Sequence, residues 1–193
     1  MPRQPRKGSA SGFYHFISRG VAKRQLFHTE EDRERYVNLL REYKLKFNIS
    51  IIHYCLMMNH THFILKSPDL QSLSQFGYYV QRRYAVYYQK KHKWKDQVFR
   101  NRFRSKPIED EAYLLDCARY LDLNPVEAKI VADPKDYPHS SFHYYAYGRP
   151  DSLVTESPLY ANLGRTNEER MLVYRFNVMH DRVNQSQTQP VPF

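Results

Sequence analysis

Long hydrophobic runs are absent from this sequence, and cysteine, tryptophan and glycine are scarce. Only two cysteines, one tryptophan and six glycines occur among 193 residues. No apolar stretch reaches the roughly 20 residues that a membrane-spanning helix needs, and the basic first residues lack the apolar segment of a signal peptide. Cys55 and Cys117 lie in apolar patterns, which predicts buried thiols rather than a disulfide. We therefore expect a cytoplasmic protein with no membrane partner.

Acidic residues are also scarce relative to basic residues. Thirty Lys and Arg against twenty Asp and Glu give a formal net charge of +10, an excess that favours a polyanionic partner such as nucleic acid. Solubility alone is the simpler explanation of such a charge. The sequence also contains seventeen tyrosines, and aromatic rings among basic residues suit stacking on unpaired bases. Many of these rings must nevertheless belong to an ordinary core.

Hydrophobic spacing predicts the order strand, helix, strand, strand, helix, strand, helix. We expect an α+β fold, ferredoxin-like or RRM-like, with an antiparallel four-stranded sheet, helices packed on one face and an open face for the site. The strands are predicted over 13–18, 49–57, 60–66 and 98–106, of which the last could instead be an extended segment with a basic outer face. The helices are predicted from a cap at Thr29 to about 47, from after 67–69 to about 91, and from 109 to about 124, where Pro125 would end the last one. The predicted domains are a flexible basic arm (1–11), a main domain (12–148), a C-terminal extension (149–181) and a disordered tail (182–193).

Two histidines in the third predicted strand point to metal chemistry. His60 and His62 are two residues apart, so both side chains project from one face, roughly 6–7 Å apart. Because two imidazoles rarely satisfy a metal, a third ligand must come from elsewhere. The last predicted helix offers Asp116, Tyr120 and Asn124, which share a face at four-residue spacing. Spacing alone leaves open that Tyr120 is plain core and that Asn124 is an ordinary polar residue at a helix end.

The histidine motif and the tyrosine segment together resemble a known family. Met58-Asn59-His60-Thr61-His62 and Arg119-Tyr120-Leu121-Asp122-Leu123-Asn124-Pro125-Val126 are similar to the signature of the single-tyrosine HUH transposases, which include the REP-associated tyrosine transposases and the insertion-sequence-200/605 type. Supporting stretches are 14–20, 81–84, 102–105 and 136–142, so the resemblance covers about 12–148. The chain departs from the pattern at Met58, where a proline is common, and near Asn101 and Lys129, where glycines are often found. These departures put loop geometry and DNA preference in doubt.

The resemblance implies a chemistry and a set of site residues. His60, His62 and Asn124 would bind a divalent metal, Mg²⁺ or Mn²⁺, and Tyr120 would be the nucleophile. The family cuts single-stranded DNA beside a small hairpin, leaves a 5′-phosphotyrosine and a free 3′-hydroxyl, and joins strands by the reverse step. The expected partner is therefore single-stranded or hairpin DNA, with the protein associated with the nucleoid. Whether it acts as a monomer or a homodimer stays open.

The sequence leaves other functions open. One alternative is a non-catalytic nucleic-acid-binding module on the same scaffold. Another is a two-histidine phosphoesterase for RNA ends, which would want two His-x-Ser/Thr motifs, whereas only 139–141 has that form. A catalytic zinc site lacks an obvious third histidine or carboxylate nearby. DNA contacts are expected from basic clusters that could equally be solvated faces: Arg3, Arg6, Lys7, Arg82, Arg83, Arg100, Arg102 and Arg104.

Overall fold

The computed structural model describes residues 6–180 and contains four strands and five α-helices. Residues 1–5, which include Arg3 of the predicted arm, and 181–193, which include the predicted tail, lie outside the described residues. The strands are β1 (Phe13–Arg19), β2 (Ser50–Met57), β3 (His60–Lys66) and β4 (Arg104–Ile108), and the helices are α1 (Glu30–Lys46), α2 (Leu70–Lys91), α3 (Glu111–Glu127), α4 (Phe142–Tyr147) and α5 (Asn167–His180).

The four strands form one antiparallel sheet in the order β2-β3-β1-β4, which confirms the predicted α+β fold. β2 and β3 form the predicted hairpin. Across the centre of the sheet, Arg19 lies opposite His60 and Ile17 lies opposite His62. On the other side of β1, Ile17 lies opposite Arg104 of the edge strand β4. Because directly opposite residues share a face, these five side chains project from the same face of the sheet.

Helices α1 and α2 cover the other face, as predicted. Thr29 caps α1 with a capping box, in which its hydroxyl accepts from the backbone N–H of Asp32 and the Asp32 carboxylate accepts from the backbone N–H of Thr29. The box satisfies two backbone donors that the first helical turn leaves without partners. The core between these helices and the sheet consists largely of buried aromatic and aliphatic side chains, among them Phe16, Tyr36, Leu39, Phe63 and Phe76.

The face that carries the histidines is not open, and that part of the expectation was wrong. Helix α3 lies over it, with Leu114, Cys117 and Leu121 packed against Cys55 and Ile64 of the sheet. Without α3, the apolar side chains on this face would be exposed to water, at a free-energy cost of about 25 cal/mol for each Å² of apolar surface. A second layer over the face is therefore favoured. Cys55 and Cys117 are buried and free, as predicted.

Two predicted boundaries were also wrong. The fourth strand begins at Arg104 rather than near Val98, because the residues before it make only an isolated bridge, Gly20 to Phe99, with the sheet. Helix α3 continues through Pro125 to Glu127. Pro125 lies in the last helical turn, where its missing N–H costs one hydrogen bond.

The chain beyond α3 packs back onto that helix. Leu123 of α3, Phe142 and Tyr145 of α4, and Tyr174 and Val178 of α5 form a third buried cluster. The hydroxyl of Tyr174 donates to Oδ2 of Asp122 at 2.5 Å. Helix α3 therefore packs against both the sheet and α5, while Tyr145 of α4 contacts β2 directly, its ring stacking on that of His53 at 4.3 Å. Over residues 6–180, no helix is long and apolar enough to cross a membrane.

Candidate active site

The two histidines of β3 lie side by side on the sheet. Their ring centroids are 4.9 Å apart, with the ring planes at 82°. His62 is fully buried and His60 is half-buried. Between them, Thr61 points to the opposite face, where its hydroxyl lies 3.4 Å from that of Tyr36. The strand alternation that predicted a converging pair is therefore observed.

A third histidine, His15 of β1, completes the buried group, and sequence reasoning did not assign it a role. Its Nε2 lies 3.1 Å from Nδ1 of His62. His15 is opposite Ile64, so it reaches His62 along the diagonal of the strand pair. The contact fixes Nδ1 as the ring nitrogen of His62 that faces His15, which is how a neighbouring group orients a metal-binding imidazole. Its motif position in β1 was visible in the sequence, but the strand register was not.

Helix α3 brings Tyr120 and Asn124 to the histidines. The Tyr120 ring centroid is 5.5 Å from that of His62 and 6.1 Å from that of His15. The side chain of Asn124, one helical turn further along, lies close enough to both His60 and Tyr120 to shift the pKa of each. Tyr120 is half-buried, so part of the phenol faces solvent. These two predicted site residues thus join the histidine pair.

Asp116, the remaining candidate on α3, does not join the site. Its side chain is exposed and pairs with Arg119 at 3.5 Å. Asp122, between Tyr120 and Asn124, points away from the histidines and binds Tyr174. Burial raises the pKa of Asp122 to about 7, although the Tyr174 hydroxyl opposes the rise.

Burial sets the protonation of the site. It lowers the pKa of His60 to about 4, an effect that the positive charge of Arg19 increases and the Asn124 side chain reduces. Burial also holds the pKa of His62 well below its usual value. It raises the pKa of Tyr120 to about 12, although Asn124 and Arg19 act against the rise. At neutral pH the site therefore holds neutral imidazoles, the form that binds metals, and a protonated phenol.

The donor set fits a divalent cation. The side chains of His60, His62 and Asn124 offer two neutral imidazole nitrogens and one amide oxygen, within contact of one another. Such a mixed set leaves positions for water and phosphate oxygen and suits Mn²⁺ at least as well as Mg²⁺. Over the described part of the chain, no group of three or more His, Cys, Asp or Glu side chains is placed to hold a metal ion.

The predicted DNA-binding residues separate into two groups. Arg100, Arg102 and Arg104 line a cleft of about 240 Å³ together with Arg19, beside the histidines. The others lie elsewhere: Arg82 and Arg83 are exposed on α2, across the sheet from the site, Arg6 stacks on the Phe103 ring at 3.9 Å, and Lys7 is exposed.

Comparison with known proteins identifies the class of enzyme. The family model described as "Transposase IS200 like" matches residues 9–124, more than half of the chain. The chain therefore belongs to the IS200-like transposases, a family of DNA-processing enzymes. A comparison with curated protein sequences finds no match.

One solved structure supports the same fold. A REP-associated tyrosine transposase bound to a REP hairpin superposes with a TM-score of 0.65 and 18% identity, over 81% of this chain and 93% of that one. A candidate transposase from Deinococcus radiodurans R1 is less similar, with a TM-score of 0.43 and 13% identity over 63% of this chain and 95% of that one. The first similarity establishes the shared fold.

Proposed function

We propose that this chain is a metal-dependent endonuclease and strand transferase for single-stranded DNA, with Tyr120 as the nucleophile. The observation that carries the proposal is the approach of Tyr120 and Asn124, one turn apart on α3, to His60 and His62. Membership of the transposase family supports the same chemistry. The structural neighbour bound to a REP hairpin supports hairpin DNA as the substrate.

The proposed reaction exchanges one phosphodiester for another. The Tyr120 hydroxyl oxygen bonds to phosphorus, the bond from phosphorus to the 3′-oxygen breaks, and a 5′-phosphotyrosine and a free 3′-hydroxyl result. The phenol proton passes to solvent, and the departing 3′-oxygen takes one up. Reversal by a different 3′-hydroxyl joins two strands, and no nucleotide cofactor is consumed.

The residues of the chain have separate roles in this scheme. His60, His62 and Asn124 would hold Mg²⁺ or Mn²⁺, which when bound supplies Lewis-acid stabilisation of charge on the phosphate. Asn124 also orients the Tyr120 hydroxyl, to which its side chain lies close. His15 holds the His62 ring in place through the contact at Nδ1. Arg100, Arg102 and Arg104 are proposed to bind the DNA backbone. We further propose a cytoplasmic, nucleoid-associated enzyme.

The test is formation of a covalent protein–DNA adduct. The full chain is incubated with Mn²⁺ and oligonucleotides from the DNA flanking its gene, each carrying an inverted repeat as a hairpin with single-stranded arms. We expect an adduct that survives denaturing electrophoresis, disappears with a chelator and is absent from Tyr120→Phe. Tyr78→Phe is the matched control, because Tyr78 is 50% exposed and lies on α2, across the sheet.

Other outcomes would contradict the proposal in distinct ways. An undiminished adduct from Tyr120→Phe would mean that another residue is the nucleophile. Salt-sensitive DNA binding with no adduct, unaffected by the chelator and by Tyr120→Phe, would indicate a binding module without catalysis. Turnover of RNA ends by Tyr120→Phe would favour a two-histidine phosphoesterase.

A further inference from the structure

Arg19, the last residue of β1, lies next to the histidine pair and lines the basic cleft beside it. It pairs directly with His60 across the central strands, and residues opposite each other in antiparallel strands have Cβ atoms about 4.5–5.5 Å apart. Its side chain therefore projects from the face of the sheet that carries the histidines, at the end of the sheet where the turn between β2 and β3 lies.

The cleft beside Arg19 concentrates positive charge. Four of its six lining residues are arginines and none is acidic, the full set being Ile17, Arg19, Arg100, Asn101, Arg102 and Arg104. The backbone is fixed there, because the N–H of Arg100 donates to the carbonyl oxygen of Arg19 at 2.8 Å. Like charges gathered in a cleft repel one another and attract a polyanion.

The charge of Arg19 also reaches the reacting groups. It lowers the pKa values of His60, His62 and Tyr120. Because Arg19 lies directly opposite His60 and lines the cleft, its side chain lies near the place where a phosphate held at the histidine pair would sit. Arg104, two strands from His62 in the same cross-strand row, continues the positive charge toward the sheet edge.

We propose that Arg19 is a further catalytic residue, whose guanidinium donates to a non-bridging oxygen of the scissile phosphate. Arg100, Arg102 and Arg104 hold the backbone of the same strand beside it. The inference rests on the proposed function. As the phosphorus accepts the Tyr120 oxygen and releases the 3′-oxygen, negative charge grows on its non-bridging oxygens. A planar donor pair at that position stabilises the charge more than it stabilises the ground state.

The test separates the rate of adduct formation from DNA binding. Arg19→Ala, Arg19→Lys, Arg102→Ala and Arg104→Ala are compared with the native chain on a hairpin oligonucleotide with Mn²⁺. The first-order rate is measured at saturating DNA, and Kd is measured at several salt concentrations. Arg35→Ala is the matched control, because Arg35 is exposed on α1, which packs on the opposite face of the sheet.

The expected results differ between the two kinds of arginine. Arg19→Ala lowers the saturating rate about 100-fold, the effect of removing one donor from a developing oxyanion. Arg19→Lys recovers part of the rate, because it keeps the charge and loses the planar fork. Arg102→Ala and Arg104→Ala raise Kd and reduce the slope of log Kd against log salt by about 0.7 each, the value for one single-strand phosphate contact. Arg35→Ala changes neither quantity.

The failure of this inference is distinguishable from failure of the proposed function. A saturating rate for Arg19→Ala within twofold of the native rate, with Tyr120→Phe inactive, would overturn the role of Arg19 and leave the nucleophile in place. An adduct that persists in Tyr120→Phe would overturn the proposed function itself. Should Arg19→Ala fail to fold, Arg19→Gln carries the same comparison with the same threshold.

Discussion

The hydrogen bond between Tyr174 and Asp122 predicts a measurable coupling between α5 and the tyrosine helix. The Asp122 side chain is fully buried, and the Tyr174 hydroxyl donates to its Oδ2 at 2.5 Å. Within residues 6–180, Oδ1 of Asp122 has no hydrogen-bond partner. Tyr174→Phe therefore leaves a buried carboxyl poorly satisfied. We expect it to lower the free energy of unfolding by about 2–3 kcal/mol, the upper range for a hydrogen bond to an acidic group.

A double-mutant cycle isolates the interaction. Asp122→Leu removes the acceptor and keeps a similar volume, so in the double variant with Tyr174→Phe neither partner is left unsatisfied. The losses of unfolding free energy in the two single variants should then sum to about 1–3 kcal/mol more than the loss in the double variant. Urea unfolding followed by far-UV circular dichroism gives each free energy, provided the m-values agree.

Tyr160→Phe supplies the matched control for this cycle. Its hydroxyl donates to the backbone carbonyl of Tyr145 at 2.8 Å, so it tests a neutral hydrogen bond in the same buried cluster. We expect a loss of about 1 kcal/mol that adds to the loss from Asp122→Leu. If Tyr174→Phe and Asp122→Leu are also additive within about 0.5 kcal/mol, the hydrogen bond does not couple the two helices and the reasoning is wrong.

Three further variants test the packing, the cap and the metal site. In Gly77→Ala the new Cβ would overlap Cε1 of the Phe103 ring, so we expect urea unfolding to show a net loss of about 1–3 kcal/mol in the free energy of unfolding despite the better helix propensity of alanine. A gain would contradict the packing. Hydrogen bonds outweigh burial and hold the pKa of Asp32 well below its usual value, so its stabilisation is complete above about pH 4 and is lost as the pH falls further. The native chain should therefore lose stability more steeply than Asp32→Asn below that pH, and equal slopes would refute the assignment. His15→Phe removes the contact to His62, so titration calorimetry should show Mn²⁺ affinity reduced about 10–100-fold, whereas unchanged affinity would exclude the orienting role.

Features governed by neighbouring residues were predictable from the sequence. The Thr29 cap depends on an acid three residues later, and the hairpin that carries His60 and His62 depends on two adjacent strands joined by a short turn. In both cases the interacting groups lie within a few residues, so local spacing contains the information. The pairing of Tyr120 with Asn124 is likewise a property of one helical turn.

Features governed by distant pairing were not predictable in this way. His15 and Arg19 reach the site because β1 pairs with β3 in one register, and a slip of one residue would turn both side chains to the other face. Nothing near either residue in the sequence specifies that register. The burial of the histidine face also depends on where α3 packs on the sheet, and contacts between residues far apart in the sequence determine that position.

Two patterns were informative about burial and misleading about hydrogen bonding. The arginines of the segment from Val98 are exposed, as its basic outer face predicts, and Phe99 and Phe103 are buried, but Asn101 between them is exposed. A strand also needs a continuous partner, and this segment has one only from Arg104. Pro125 normally ends a helix, but burial of Leu123 and Val126 around it favours one more turn.

Tyr120 and Asn124 lie on one continuous helix, α3. The same helix is bound to α5 through the hydrogen bond between Asp122 and Tyr174. Any displacement of α3 away from the sheet would therefore move the side chains of Tyr120 and Asn124 away from the histidines together. An ion bound by the imidazoles would then lose its third protein ligand in the same motion that removes the attacking oxygen. The proposed metal ligand and the proposed nucleophile would thus leave the site together, and the hydrogen bond from Tyr174 of α5 to Asp122 opposes that movement.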